Sequence, residues 1–105
     1  MKKNYYAIIP AYVRYDSELT PNAKLLFGEI TALSNELGYC FATNQYFANL
    51  YNVSTVSISK WVNQLKEKGY ILVELQYNGK EIIERRLFLS DKDPLKISLK
   101  IIILL

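Results

Sequence analysis

Thr55, Val56, Ser59, Lys60 and Asn63 recur at the spacing of one side of a helix. The set is slim, largely polar and free of acid. Such residues can read base edges in a DNA major groove, which is about 12 Å wide. Lysine reaches phosphate or guanine, asparagine pairs with adenine through two hydrogen bonds, and valine touches the methyl group of thymine. On the opposite side of the same stretch lie Ile58, Trp61, Val62 and Leu65, an apolar face made to be buried.

Other chemistries fit less well. Ser57-Ile58-Ser59-Lys60 has the serine-to-lysine spacing of acyl-transferring enzymes, but Ile58 belongs to the buried face and no companion motif follows. The nine tyrosines suggest a DNA-nicking nucleophile. That reaction relies on a metal held largely by histidines, and the chain has no histidine. The same absence excludes a histidine base and a Cys/His zinc site. The tyrosines read as packing residues, Trp61 as a core anchor and the single cysteine, Cys40, as an inert buried thiol. No enzyme activity, cofactor or metal is expected.

Several elements must hold this face in place. A first helix starts at Thr20-Pro21, with threonine as cap and proline at the first helical position. Leu26, Ile30, Leu33 and Leu37 give it one apolar face, and Gly38 a stop. Gly28 inside it predicts close approach of another element. Tyr39 to Ala42 read as a short strand. Thr43 caps a second helix over about residues 44–51, and Tyr51-Asn52-Val53-Ser54 form a turn in which asparagine tolerates the left-handed conformation. Ser54 caps the third helix, which runs to about Lys68 and stops at Gly69. Ala48 is the small residue where two helices cross, and Val53 the apolar plug of the turn.

Residues 70–76 and 82–89 read as a hairpin closed by Asn78-Gly79, both of which accept positive φ. On the return strand Ile83, Arg85, Leu87 and Leu89 share one face and Ile82, Glu84, Arg86 and Phe88 the other, without settling which is buried. Residues 5–15 read as an extended arm or strand, and Asp16 to Glu18 as a polar turn. The fold class is α+β, mostly α: a winged helix-turn-helix of three helices and a small antiparallel sheet with a hairpin wing, spanning residues 1–90. Residues 91–105 change character abruptly and read as the end of a truncated or frameshifted chain.

The bulk numbers fit one small domain: 105 residues, half of them apolar, and a formal charge of +3. That mild basic bias permits a nucleic-acid partner without requiring one. One cysteine forms no internal disulfide, so a reducing cytoplasm is the expected compartment. No stretch approaches the ~20 apolar residues of a membrane span.

The stretch LTPNAKLLFGEI, the GYC strand with its capped helix, and the run from Val53 to Ile71 with SISKWV at its centre carry a resemblance. They resemble the winged-helix domain at the N-terminus of phage and plasmid replication proteins, initiators and replisome organisers that include relatives with a DnaD-like second domain. The resemblance runs from about Ile8 to Leu89. That family often has glycine in the turn where this chain has Asn52. The resemblance implies recognition of double-stranded DNA near an origin, and helicase-loading proteins as partners of the fuller relatives.

The expected interface has three parts. The third helix supplies Ser54, Thr55, Val56, Ser59, Lys60 and Asn63. The amino end of the second helix, Thr43, Asn44 and Gln45, meets phosphate through free amides. The wing adds Lys80 at its tip and Arg85 and Arg86 on the return strand, for phosphate contacts that give affinity rather than sequence choice. A transcriptional repressor of the same fold and a protein-docking winged helix are the competing readings. A homodimer would match repeated half-sites, with the N-terminal arm and the apolar tail as candidate surfaces.

Overall fold

Three side-chain caps set where the main helices begin. Thr20 Oγ1 accepts from the Ala23 amide, Thr43 Oγ1 from Tyr46 and Ser54 Oγ from Ser57, at 3.2, 3.0 and 3.1 Å. In the computed structural model, which describes residues 6–90, they head α2 (Pro21–Leu33), α3 (Asn44–Tyr51) and α4 (Thr55–Glu67). A one-turn helix, α1 (Ala11–Arg14), precedes them, and β1 (Ile71–Asn78) and β2 (Glu81–Leu89) follow as an antiparallel hairpin. This is the winged helix-turn-helix architecture. The tail after Ser90 lies outside the described residues.

One core joins the layers. Leu26, Phe27 and Ile30 of α2, Phe47 and Ala48 of α3, and Ile58, Val62 and Leu65 of α4 are buried together with Ile71 and Leu87 of the hairpin. Ala48 is small enough for α4 to pack closely on α3. Gly28 does the same for the N-terminal segment: an added Cβ there would meet Ile9 Cγ1 at 3.0 Å and the Ala7 Cβ at 3.3 Å.

Two turns shape the chain between helices. Asn52 sits at φ 55° and ψ 50°, and the Val53 amide reaches back to the Ala48 carbonyl at 3.0 Å. This six-residue closure with a left-handed residue satisfies the helix's last carbonyls. α4 ends the same way: Gly69 takes φ 74° and the Tyr70 amide bonds the Leu65 carbonyl at 3.0 Å.

The structure corrects several expectations. Residues 11–14 are helical rather than extended, because the Pro10 carbonyl accepts from both Val13 and Arg14 and Val13 is drawn into the core. α2 stops at Leu33, so Leu37 leaves its apolar face and is 56% exposed. Ser34 Oγ there bonds the Ile30 carbonyl at 2.6 Å, and Gly38 closes the turns that follow. The strand at 39–42 shrinks to one bridge, Cys40 with Leu87. The hairpin turns on Gly79-Lys80, with positive φ at Gly79 and not at Asn78. A bulge pairs Gln76 with Glu84 but Tyr77 with Ile82, so Ile83 is the extra residue. Ile82 therefore joins the face of Arg85, Leu87 and Leu89, and this is the face that Leu87 buries.

A polar cluster ties the α1–α2 connection to the start of β1. Asp16 Oδ2 accepts from the Tyr70 hydroxyl at 2.5 Å and lies 3.2 Å from Lys68 Nζ; Glu18 adds a second carboxylate 3.3 Å from that nitrogen. The Tyr70 hydrogen bond, then the Glu18 amide, hold the Asp16 carboxyl below its usual range. Burial, with Asp16 beside it, pushes the Tyr70 phenol up to about 12.

Two tests follow from these contacts. Asn52→Ala should cost about 1 kcal/mol in urea unfolding and Asn52→Gly should be nearly neutral, because only the former strains the left-handed backbone. In the Asp16 cluster, the carboxyl's contribution is complete above its ordinary value and is lost as pH falls through the depressed one. Tyr70's contribution is complete below its ordinary value of 10.0 and is lost as pH rises through about 12. Asp16→Asn should therefore flatten the acid limb of a stability–pH profile.

Candidate nucleic-acid interface

α4 divides its residues by side. Ile58, Val62 and Leu65 are buried, and Trp61 is half-buried beside Leu25, Tyr51 and Val53 at the α2–turn junction. This confirms Trp61 as a packing residue. On the outer side Thr55, Lys60 and Asn63 are exposed, Val56 is 64% exposed and Ser59 is half-buried. Among the described residues none of these five makes a side-chain hydrogen bond or ion pair, so their polar groups stay available to a ligand. The helix has no acid in its first turn. Lys66, three residues past Asn63, is exposed and continues the outer side. The 3.6-residue period alone would have pointed to it. Lys68, one step beyond, is held by Asp16 and Glu18 instead.

The amino end of α3 is more constrained. Thr43 caps the helix, Gln45 Nε2 donates to Asn49 at 2.8 Å, and Asn44 Oδ1 accepts from Arg85 Nη1 at 2.7 Å. What this end offers a phosphate is the backbone amides of Asn44 and Gln45, ahead of the capped Tyr46 amide. Ser54 is likewise occupied: its Oγ caps α4 and lies 3.1 Å from Ser57 Oγ.

The wing's three cations differ. Arg85 is half-buried, with Nη1 on Asn44 and Nη2 on the Ala42 carbonyl at 2.8 Å, and desolvation lowers its pKa. It braces the hairpin against the start of α3. Arg86, on the opposite face, bonds Glu84 at 2.7 Å and lies 4.6 Å above the Tyr39 ring. Lys80 stands exposed at the tip. Sequence spacing brought the three together as phosphate contacts; the structure leaves one of them without an internal partner among the described residues. The brace was not legible, because it depends on the fold placing Ala42 and Asn44 beside β2.

Cys40 is fully buried, and burial pushes its thiol up, as an inert core residue requires. Among the described residues no group of acids and cysteine is arranged to hold a metal ion.

Residues 17–71 match the family model described as "Helix-turn-helix domain", more than half of the chain. The chain belongs to this helix-turn-helix family. The match spans α2, α3, the Asn52 turn and α4, and ends where the wing begins. Helix-turn-helix domains are a DNA-binding architecture that places its second helix in the major groove, and here that helix is α4. No curated protein and no solved structure matches the chain.

The brace can be measured by a double-mutant cycle. Arg85→Met, Asn44→Ala and the pair should show a coupling of about 1.5 kcal/mol or more in unfolding free energy, the range for a hydrogen bond to a charged group. Additive effects would mean the contact does not hold the wing.

Proposed function

We propose that this chain binds double-stranded DNA as the origin-recognition domain of a phage or plasmid replication initiator. The observation that carries DNA binding is the outer side of α4: a slim, acid-free row in a helix-turn-helix, with no internal partner for its polar groups among the described residues. Asn63 and Val56 read bases, Lys60 and Thr55 reach guanine or phosphate, and Ser59 sits close to the groove floor. The amides of Asn44 and Gln45 take one phosphate and Lys80 another. Arg85 serves the same surface indirectly, by fixing the wing to α3. The resemblance of residues 8–89 to replication initiators and replisome organisers supports the origin as target rather than a promoter.

A site selected from a random duplex library distinguishes these roles. Asn63→Ala should relax base choice at one position by about 1–3 kcal/mol while leaving other positions unchanged. Lys60→Ala should weaken binding. If both variants bind every sequence as the parent does, α4 does not enter the groove. Selection of tandem repeats found in a replication origin supports the initiator reading; a single promoter palindrome favours a repressor.

A further inference from the structure

The hairpin 71–89 carries three acids and three bases, and its two arginines are engaged within the protein. Among the described residues only Lys80 at its tip is left uncommitted for phosphate. The hairpin is also apolar on its surface: Leu72, Tyr77, Ile82 and Ile83 are all more than half exposed.

The backbone shows which edge is open. Ser90 donates to the Tyr70 carbonyl, and Cys40 and Leu87 exchange both their bonds, at 2.9 and 2.8 Å. Strand residues alternate in the direction of their backbone groups. With the register Ile71–Leu89 and Val73–Leu87, the even residues of β1 bond to β2, and Val73, Leu75 and Tyr77 turn their amides and carbonyls outward. β2 is flanked by β1 and Cys40, whereas β1 has β2 alone among the described residues. β1 lacks the devices that blunt an edge: it has no proline or lysine, and the bulge's extra residue sits on β2.

We infer that the free edge of β1 pairs antiparallel with β1 of a second copy, making a four-stranded sheet across a two-fold axis at Leu75. Three features of β1 select its own copy as partner. Its outward groups at 73, 75 and 77 meet those at 77, 75 and 73 of the other strand, which satisfies all six. Its one charge, Glu74, falls opposite Gln76 and not opposite itself; centring the axis on Glu74 would set two carboxylates face to face, which is destabilising. The neutral amide of Gln76 already bonds Glu74 within one chain, so the pair is chemically matched. Exposed Tyr77 would cover half-buried Val73 of the other copy, and a two-fold axis normal to the sheet puts both helical bodies on one face.

The inference stands apart from DNA binding and is tested without DNA, by sedimentation equilibrium of the full chain over a concentration series. The expected species is a dimer of 12.2 kDa chains. Tyr77→Asp should weaken the dimer about tenfold or more, with unchanged helical circular dichroism. It removes two cross-strand pairs and sets a desolvated carboxylate against apolar Val73 of the other copy. Gln76→Glu should weaken it comparably, and adding Glu74→Gln should restore it, because the pair is then reversed rather than lost. A single-chain mass at every concentration overturns the inference, as does a dimer indifferent to both Tyr77→Asp and Gln76→Glu. A dimer abolished by Ile102→Lys but kept in Tyr77→Asp also overturns it, placing association on the tail.

Discussion

The left-handed backbone at Asn52 fixes the angle between α3 and α4, and the usable surface of the molecule depends on that angle. The turn holds only because the Val53 amide finds the Ala48 carbonyl and because Ala48 is small. With the crossing set, Ile58 and Leu65 enter the core, and the period of the helix then forces Thr55, Val56, Ser59, Lys60 and Asn63 outward. A side chain that resisted positive φ at position 52 would tilt α4 and move all five together.

The rest of the fold secures this pair of helices. Asp16 joins Tyr70 and Lys68 and locks the end of α4 to the chain before α2. Arg85 joins the hairpin to the amino end of α3 through two hydrogen bonds. These polar groups have partners, while among the described residues the outer row of α4 has none. That contrast separates residues that build the scaffold from the exposed row proposed to meet DNA. It also divides the wing, whose tip carries Lys80 while its open edge is apolar and nearly neutral.

Much of this was legible in the sequence where the signal was local. Thr20, Thr43 and Ser54 each announce a helix start within three residues, and Asn52 and Gly69 announce the ends. Local chemistry was misleading where tertiary contacts decide. Val13 pulls residues 11–14 into a helical turn because a buried site exists for it. α2 ends early where the Ser34 and Asn35 amides turn to carbonyls three residues back, Thr31 and Ala32, and Leu37 is left outside. The bulge at Ile83 reverses the facing of the strand tip, and no periodicity reveals it. For the site, the α4 row followed from the helical period alone. The role of Arg85 did not, since its partners lie about forty residues away.

DNA binding through α4 is tested most directly by fluorescence anisotropy of the full chain with a labelled random-sequence duplex across a salt series. Lysine contacts to phosphate release counterions, so the logarithm of the binding constant should fall linearly with the logarithm of salt. With Lys60 and Lys80 as contacts the slope should be about −2 or steeper. No binding at low salt by protein shown to be folded, or binding indifferent to salt, would contradict the assignment and point to a protein-docking domain.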